Sequence, residues 1–347
     1  MAYTTINKST DYFNTKLYTG NGSTNSVTVG FQPDFIWLKS RDTGTANHCL
    51  MDVIRGFGTG SNNTPLINSN NTDAEFQRDV FSSTGITSTG YELDTYSDTN
   101  ANGDNFVGWN WKANGSGSSN SDGSITSTVS ANTTAGFSIV AFNGNSGTVG
   151  HGLGVKPNFI VIKSRQTGGS NNWVVAHSAL GTNMNDNYIT LNLNSAAGSS
   201  SNTWGGEPTS QHFTVSSGVA ANDNNIAFCF AEKTGYSKFG KYTGNGNANG
   251  PFIYTGFKPA FIILKVSSDI NDWTMFDNKR PGYNVNNQAL LPNLSNSEST
   301  DHAIDILSNG FKIKDNDGTV NPNGQTMIYM AFGQSIVGSN NVPCTAR

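Results

Sequence analysis

Gly30-Phe-Gln-Pro-Asp-Phe-Ile-Trp-Leu-Lys-Ser-Arg41 decides the fold, because the chain writes this stretch three times. The other copies are Gly154-Val-Lys-Pro-Asn-Phe-Ile-Val-Ile-Lys-Ser-Arg165 and Gly256-Phe-Lys-Pro-Ala-Phe-Ile-Ile-Leu-Lys-Val-Ser267. Each holds an apolar run, at 35–38, 159–162 and 261–264. A short, continuously apolar run predicts a strand covered on both faces. Pro33, Pro157 and Pro259 stand just ahead, where a strand can begin without losing a ladder hydrogen bond. Lys39, Lys163 and Lys265 close the runs and are expected to be flanking charges that stop the strand from pairing with strangers.

Two further signatures keep step with the first. Upstream lie the turns Tyr18-Thr-Gly-Asn-Gly22, Phe142-Asn-Gly-Asn-Ser146 and Tyr242-Thr-Gly-Asn-Gly246. Downstream lie Val107-Gly-Trp-Asn-Trp111, Ile226-Ala-Phe-Cys-Phe230 and Ile328-Tyr-Met-Ala-Phe332. Every second residue of these is large and apolar, the period of a half-buried strand. Trp173-Val-Val-Ala-His177 matches Trp273-Thr-Met-Phe-Asp277, and the first copy's counterpart of the tryptophan is placed near Leu50. Strands at such spacing, with turns between, predict a sandwich or barrel. The expected fold is all-β: three tandem β-sandwich or jelly-roll-like repeats of about 100–120 residues, near the size of one sandwich domain. The boundaries are 1–113, a Gly/Ser/Asn linker at 114–124, then 125–233 and 234–347. Repeats two and three, with almost no linker, are expected to pack on each other.

Composition agrees. Charged residues are 13% of the 347, against roughly 25% in ordinary soluble domains. Asn, Ser, Thr and Gly dominate the polar remainder and favour turns over exposed helix, which excludes coiled coils and helical bundles. Aromatics at 11% and a net charge of only -4 exclude a disordered chain. That charge, with scattered Lys and Arg, argues against a nucleic-acid partner. The N-terminus lacks the apolar core of a secretory signal, and no run approaches a membrane span. Cys49, Cys229 and Cys344 are isolated and indicate neither a disulfide framework nor a zinc site.

The sequence offers little chemistry. His48, His151, His177, His212 and His302 form no ligand pattern, and there is no nucleophile elbow or phosphate loop. Glu75, Glu92, Glu207, Glu232 and Glu298 fall at non-equivalent places, so glycan hydrolysis is the weakest of the readings kept. No catalytic, cofactor-binding or metal residue is assigned, no cofactor is implied, and the expectation is a non-enzyme. Asp98-Thr-Asn-Ala-Asn-Gly-Asp104 opens like a calcium loop, but Trp109 stands where a bidentate Glu belongs. A turn explains it better, as it does Asn222-Asp-Asn-Asn225 and Asp315-Asn-Asp-Gly318. Trp109 and Trp111 fall in phase with core positions, which leaves Trp204, in Asn202-Thr-Trp-Gly-Gly206, as the better candidate for a contact residue.

These signatures, with the closing IYMAFGQSIVGSNNVPCTAR, resemble a family of β-rich modules from structural proteins of marine bacteriophages. The resemblance covers nearly the whole chain and brings no catalytic residues with it. It implies a non-enzymatic virion protein exposed on the particle surface, as a capsid decoration or as a tail-fibre or receptor-binding component. Its partners would be capsid or tail subunits and a host surface glycan, in a homo-oligomer or symmetric assembly. A carbohydrate-binding, lectin-like adhesin is the alternative.

Overall fold

Proline, an apolar run and a lysine place one strand at the heart of each third of the chain. The computed structural model describes residues 4–166, 172–199, 203–221 and 223–335. Within these, helix is confined to two single turns, at 9–11 and at 97–100, and the rest is antiparallel sheet and loop. The first third carries β1 (Phe13–Thr19), β2 (Asn25–Thr28), β3 (Phe35–Ser40), β4 (Cys49–Asp52), β5 (Thr64–Asn68), β6 (Phe76–Arg78), β7 (Phe81–Thr87), β8 (Gly90–Leu93) and β9 (Asn105–Trp111). The second carries β10 (Ser118–Asn120), β11 (Ser127–Asn132), β12 (Phe137–Phe142), β13 (Gly147–Gly150), β14 (Phe159–Ser164), β15 (Val174–His177), β16 (Asn187–Thr190), β17 (Gly198–Ser199), β18 (His212–Val215) and β19 (Asn225–Phe230). The last carries β20 (Ser237–Thr243), β21 (Phe252–Tyr254), β22 (Phe257–Val266), β23 (Thr274–Asp277), β24 (Ile304–Leu307), β25 (Gly310–Ile313) and β26 (Thr326–Ser335).

One pairing order recurs. The inner sheets contain β1-β9-β3-β4, β12-β19-β14-β15 and β20-β26-β22-β23, and outer sheets β2-β8-β7, β13-β18 and β21-β25-β24 lie beside them. The chain is thus an all-β assembly of sandwiches. The 114–124 stretch is no loose linker: β10 pairs with β11, and Asn114 N–H donates to Ser130 Oγ at 2.8 Å. Gly117 sits there at φ +79°, with Ile54 and the Val129 carbonyl too close to admit a side chain.

The alternating strands are not half-buried, and this corrects the sequence reading. Val107, Trp109 and Trp111, with Ile226, Phe228 and Phe230 and with Ile328, Met330 and Phe332, all point into one core shared by the three thirds. Rings from different thirds touch there, as Phe35 does Phe228 (4.4 Å between centroids) and Phe13 does Phe332 (5.6 Å). The residues between them face the private core of each sandwich: Ala227 and Cys229 in the second, Tyr329 and Ala331 in the third. Alternation here marks two different cores, not core and solvent.

Three sets of contacts close these thirds into a ring. The carbonyls of Arg41, Arg165 and Ser267 accept from the N–H groups of Glu298, Glu75 and Ala197, at 2.8, 3.1 and 2.8 Å. Trp173 Nε1–H donates to the Asn68 carbonyl and Trp273 Nε1–H to the Thr190 carbonyl, at 2.8 and 2.9 Å. Strand register puts His48, not Leu50, at the equivalent position of the first third. It faces the Leu291 main chain, but short of a well-formed bond, since Nε2 has no partner among the described residues.

The lysines are the third set, and they are not flanking charges. Lys39, Lys163 and Lys265 are fully buried. Lys163 Nζ donates to the Thr72 carbonyl of the first third, at 3.0 Å, and Lys265 Nζ to the Asn194 carbonyl of the second, at 3.1 Å. Lys39 Nζ donates nearer home, to the Ser40 and Thr43 carbonyls. A long stem with three donors lets each lysine end an apolar strand while satisfying loop carbonyls that water cannot reach.

Candidate functional site

The repeated motifs account for the frame, so a site is better sought where the thirds differ. In the outer sheets, Val27, Val149 and Ile253 are equivalent buried residues, opposite Tyr91, Phe213 and Phe311. Their strand neighbours point outward. In the first third these are Ser26 and Thr28, and in the second Thr148 and Gly150, the latter buried under Asn120 and Asp122. In the last they are Phe252 and Tyr254, 46% and 59% exposed.

The face that carries them is wider than β21. Tyr254 lies opposite Gly310, and Gly310 opposite Leu307. Asn284 exchanges hydrogen bonds with Ile306 (both 2.9 Å) and Asn286 bridges to Ile304, so the 283–286 segment runs alongside β24. Tyr283 is 74% exposed, and Val285 44%. The Phe252 ring leans over Gly310, where any side chain would collide with the Ile253 carbonyl. Polar groups interleave: Lys312 Nζ donates to the Gly250 carbonyl at 2.7 Å, and Lys314 stands 3.9 Å from Asp305. Exposed aromatic and aliphatic side chains gathered on one sheet face, rather than scattered singly, are the signature of an interaction surface.

At the Tyr283 edge the face meets a cavity of about 160 Å³, with Lys258, Asn278, Asn284, Asn286 and Ile306 in its wall. Asn286 is buried and spends its Nδ2 on the Asp277 carbonyl at 2.7 Å. Its Oδ1, like that of Asn278, is sealed from solvent and has no hydrogen-bond partner among the described residues.

The chain is recognised over residues 8–335 as a domain of unknown function, DUF7483. It belongs to that family. The match takes in all three sandwiches as one domain. Neither the curated proteins nor the solved structures hold a significant match to the chain.

Other groups singled out in this DUF7483 chain are spent on structure. Trp204 is not a contact residue: it is 3% exposed and packs in the second sandwich's core. Asn100, in the calcium-like stretch, turns its amide onto the Tyr18–Gly22 turn, accepting from Asn21 N–H at 3.1 Å and donating to the Ser23 carbonyl at 2.6 Å. Asn321 does the same for the Tyr242–Gly246 turn, through Asn245 N–H at 2.8 Å and the Asn247 carbonyl at 2.8 Å. Asp98 accepts from Asn47 and from the Tyr96 hydroxyl. Among the described residues no three His, Cys, Asp or Glu side chains gather as a metal site. Asn222 and Cys344 lie outside the described residues.

The glutamates and buried nucleophiles are likewise engaged. Glu75 pairs with Arg55 and Arg165, and Glu298 with Arg41 and Arg280. Glu207 pairs with Lys156, Glu232 with Lys238, and Glu92 accepts from Ser82. Burial pushes the Cys49 and Cys229 thiols up and away from the reactive thiolate. His177, pushed by burial down to about 4, is a neutral ring that bonds the Tyr329 carbonyl through Nε2 and accepts from Ala179 N–H at Nδ1. Sequence reasoning missed the real candidate because Phe252 and Tyr254 sit in Pro251-Phe-Ile-Tyr254, three apolar residues that read as buried strand. The available signal was the comparison with Ser26 and Thr28.

Proposed function

We propose that this chain is a non-enzymatic structural protein on the outside of a bacteriophage particle, a rigid body that presents the outer face of its last sandwich to a partner. The observation that carries this reading is asymmetry. Three like sandwiches are locked by ring contacts, and among the described residues only one outer sheet bears solvent-exposed aromatics, Phe252 and Tyr254. The resemblance of the repeated stretches to phage structural modules supplies the setting. A three-part body of this kind suits a position on a symmetry axis, among capsid or tail subunits.

Labelled antibody against the last third, imaged on intact particles, tests it. Decoration of heads or tails is the expected result. Label that appears only after particles are disrupted, or never, removes the reading. A second reading, a carbohydrate-binding adhesin, is favoured by the same exposed aromatics.

A further inference from the structure

We infer that mild acid frees the last third from the other two, because each of the two seams that hold it is locked by a neutral histidine. The inference goes beyond the proposed function and does not depend on it.

His48 sits on the seam between the first and last thirds, beside the Leu291 main chain, and its Nδ1 accepts from Trp37 Nε1–H at 2.9 Å. His177 sits on the seam between the second and last thirds. There Nε2–H donates to the Tyr329 carbonyl at 3.0 Å, and Nδ1 accepts from Ala179 N–H at 3.0 Å. A ring nitrogen that accepts from an N–H cannot also carry a proton, so both imidazoles stay neutral while the seams are closed. Among the described residues the seam between the first and second thirds has no histidine. It is held by Trp173 on the Asn68 carbonyl and by the Arg165, Glu75, Arg55 and Asp52 charges. His151 and His212 lie within the second sandwich, and His302 within the last.

Both rings are buried, and the described groups around them do not offset a positive charge. The Phe159 and Phe239 rings stand 5.9 and 6.3 Å from His177. Of the titratable groups on the strands packed there, Lys163 donates to the Thr72 carbonyl and Lys238 pairs with Glu232. Lys241 is exposed, and the Tyr329 ring turns into the last sandwich's own core. Burial, opposed only by the Tyr329 carbonyl, pushes His177 down to about 4. His48 is held between Trp37 and Trp109. Burial, then the Lys39 ammonium and the Arg280 guanidinium, push it well below the ordinary histidine range. The carboxylates near it are spent, Asp98 on Asn47 and Tyr96 and Asp277 on Arg280.

Once the last third parts, each ring regains the ordinary value of about 6.5 and takes up a proton that it refuses in the closed form. The closed form therefore keeps its full advantage above pH 6.5 and loses it as pH falls towards 4. Each histidine multiplies the opening constant by up to about ten per pH unit, and the two together by up to about a hundred. Down to pH 5 this happens above the range in which carboxylates ordinarily take up protons, so the seam ion pairs do not supply the response.

Three equivalent amides report the three seams: Glu75 on the Arg165 carbonyl, Ala197 on Ser267 and Glu298 on Arg41. Hydrogen exchange of the full chain between pH 6.5 and 5, corrected for the intrinsic pH dependence of exchange, reads them. Protection at Ala197 and Glu298 should fall together, by about a hundredfold, while Glu75 keeps its protection. His177→Gln offers a donor to the Tyr329 carbonyl and an acceptor to Ala179 N–H without titrating, and should cut the fall to about tenfold at both amides. His48→Gln should do the same. His151→Gln, inside the second sandwich, should leave the fall unchanged. Constant protection at Ala197 and Glu298 in the wild type, an equal fall at Glu75, or an undiminished fall in the folded His177→Gln chain would each overturn the proposal. The first two outcomes are read on the wild-type chain and need no variant to fold.

Discussion

Arg41 and Glu298, at opposite ends of the chain, meet in a two-point ion pair: Nε to Oε2 at 3.1 Å and Nη2 to Oε1 at 2.9 Å. The pair seals the first third against the last. Behind it Glu298 also holds Arg280, and Arg280 holds Asp277, which accepts from Trp109 Nε1–H across the interface. Arg165, Glu75, Arg55 and Asp52 build the same chain of charges between the second third and the first. At the third interface all four positions are neutral at once: Ser267, Ala197, Leu180 and His177. A buried charge cannot be kept without its partner, so the four change together or not at all.

That logic predicts a non-additive pair. Glu298→Ala should lower stability by about 3 kcal/mol, the low end for breaking a buried pair, because both side chains keep a little exposure. Adding Arg41→Ser, which recreates the natural Ser267/Ala197 pairing, should recover about 1 kcal/mol. Denaturant unfolding of the two single variants and the double gives the coupling. Strict additivity would mean the two side chains do not depend on each other.

The buried lysines predict an unusual alkaline response. Burial pushes Lys39, Lys163 and Lys265 each down to about 8, with Asp98, Asp73 and Asp272 among the charges opposing it. Below pH 8 folded and unfolded chains both carry the charge, and the folded state bears its desolvation. Between pH 8 and the ordinary lysine value of about 10.4 the folded chain sheds protons that the unfolded chain keeps, so stability rises with pH across that window. Burial raises the Cys49 and Cys229 thiols, which blunts the rise above the ordinary thiol value of about 8.5, and the Tyr91 and Tyr236 hydroxyls, which reverses it towards pH 10. The melting temperature should therefore climb from pH 7 to about 9. A steady fall over that range would show that the three ammonium groups stay charged in the fold.

The repeats made most of the architecture legible before any coordinates, since Pro33, Pro157 and Pro259 start like strands and Trp109, Phe228 and Met330 align in one phase. What stayed hidden was how the thirds meet. A run such as Phe35-Ile-Trp-Leu38 declares two covered faces, but nothing local tells the private core from a shared one. Lys39 misled for the same reason, because a lysine after an apolar run reads as solvent-bound until the carbonyls around Nζ are known. Trp204 misled because a Gly-Gly loop around an aromatic looks open, although loops fold back onto their own sandwich.

The Asp98 loop gives a direct test of turn against metal. Asp98 Oδ2 takes Asn47 N–H at 3.2 Å, Asn47 Nδ2–H at 3.1 Å and the Tyr96 hydroxyl at 3.2 Å, tying the 97–100 turn to the segment before β4. Asp98→Ala should cost about 1–2 kcal/mol through those lost bonds. The loss should be the same with excess calcium as with chelator. Wild-type melting that rises with calcium, and ceases to rise in Asp98→Ala, would restore the metal reading.

Trp204→Ala separates packing from contact. The indole is buried in the second sandwich's core, in one cluster with Phe213, Val215 and Met184, and its Nε1 has no partner among the described residues. Its removal should cost about 3–5 kcal/mol, the usual range for emptying an aromatic site. Trp204→Phe, which keeps most of the apolar volume and deletes an unpaired donor, should cost far less. Any glycan affinity of the folded Trp204→Phe chain should equal that of the wild type, because Phe252 and Tyr254 lie on a different sandwich. Equal stability of both variants and wild type, measured by denaturant midpoint, would mean that the 203–206 loop does not pack as found.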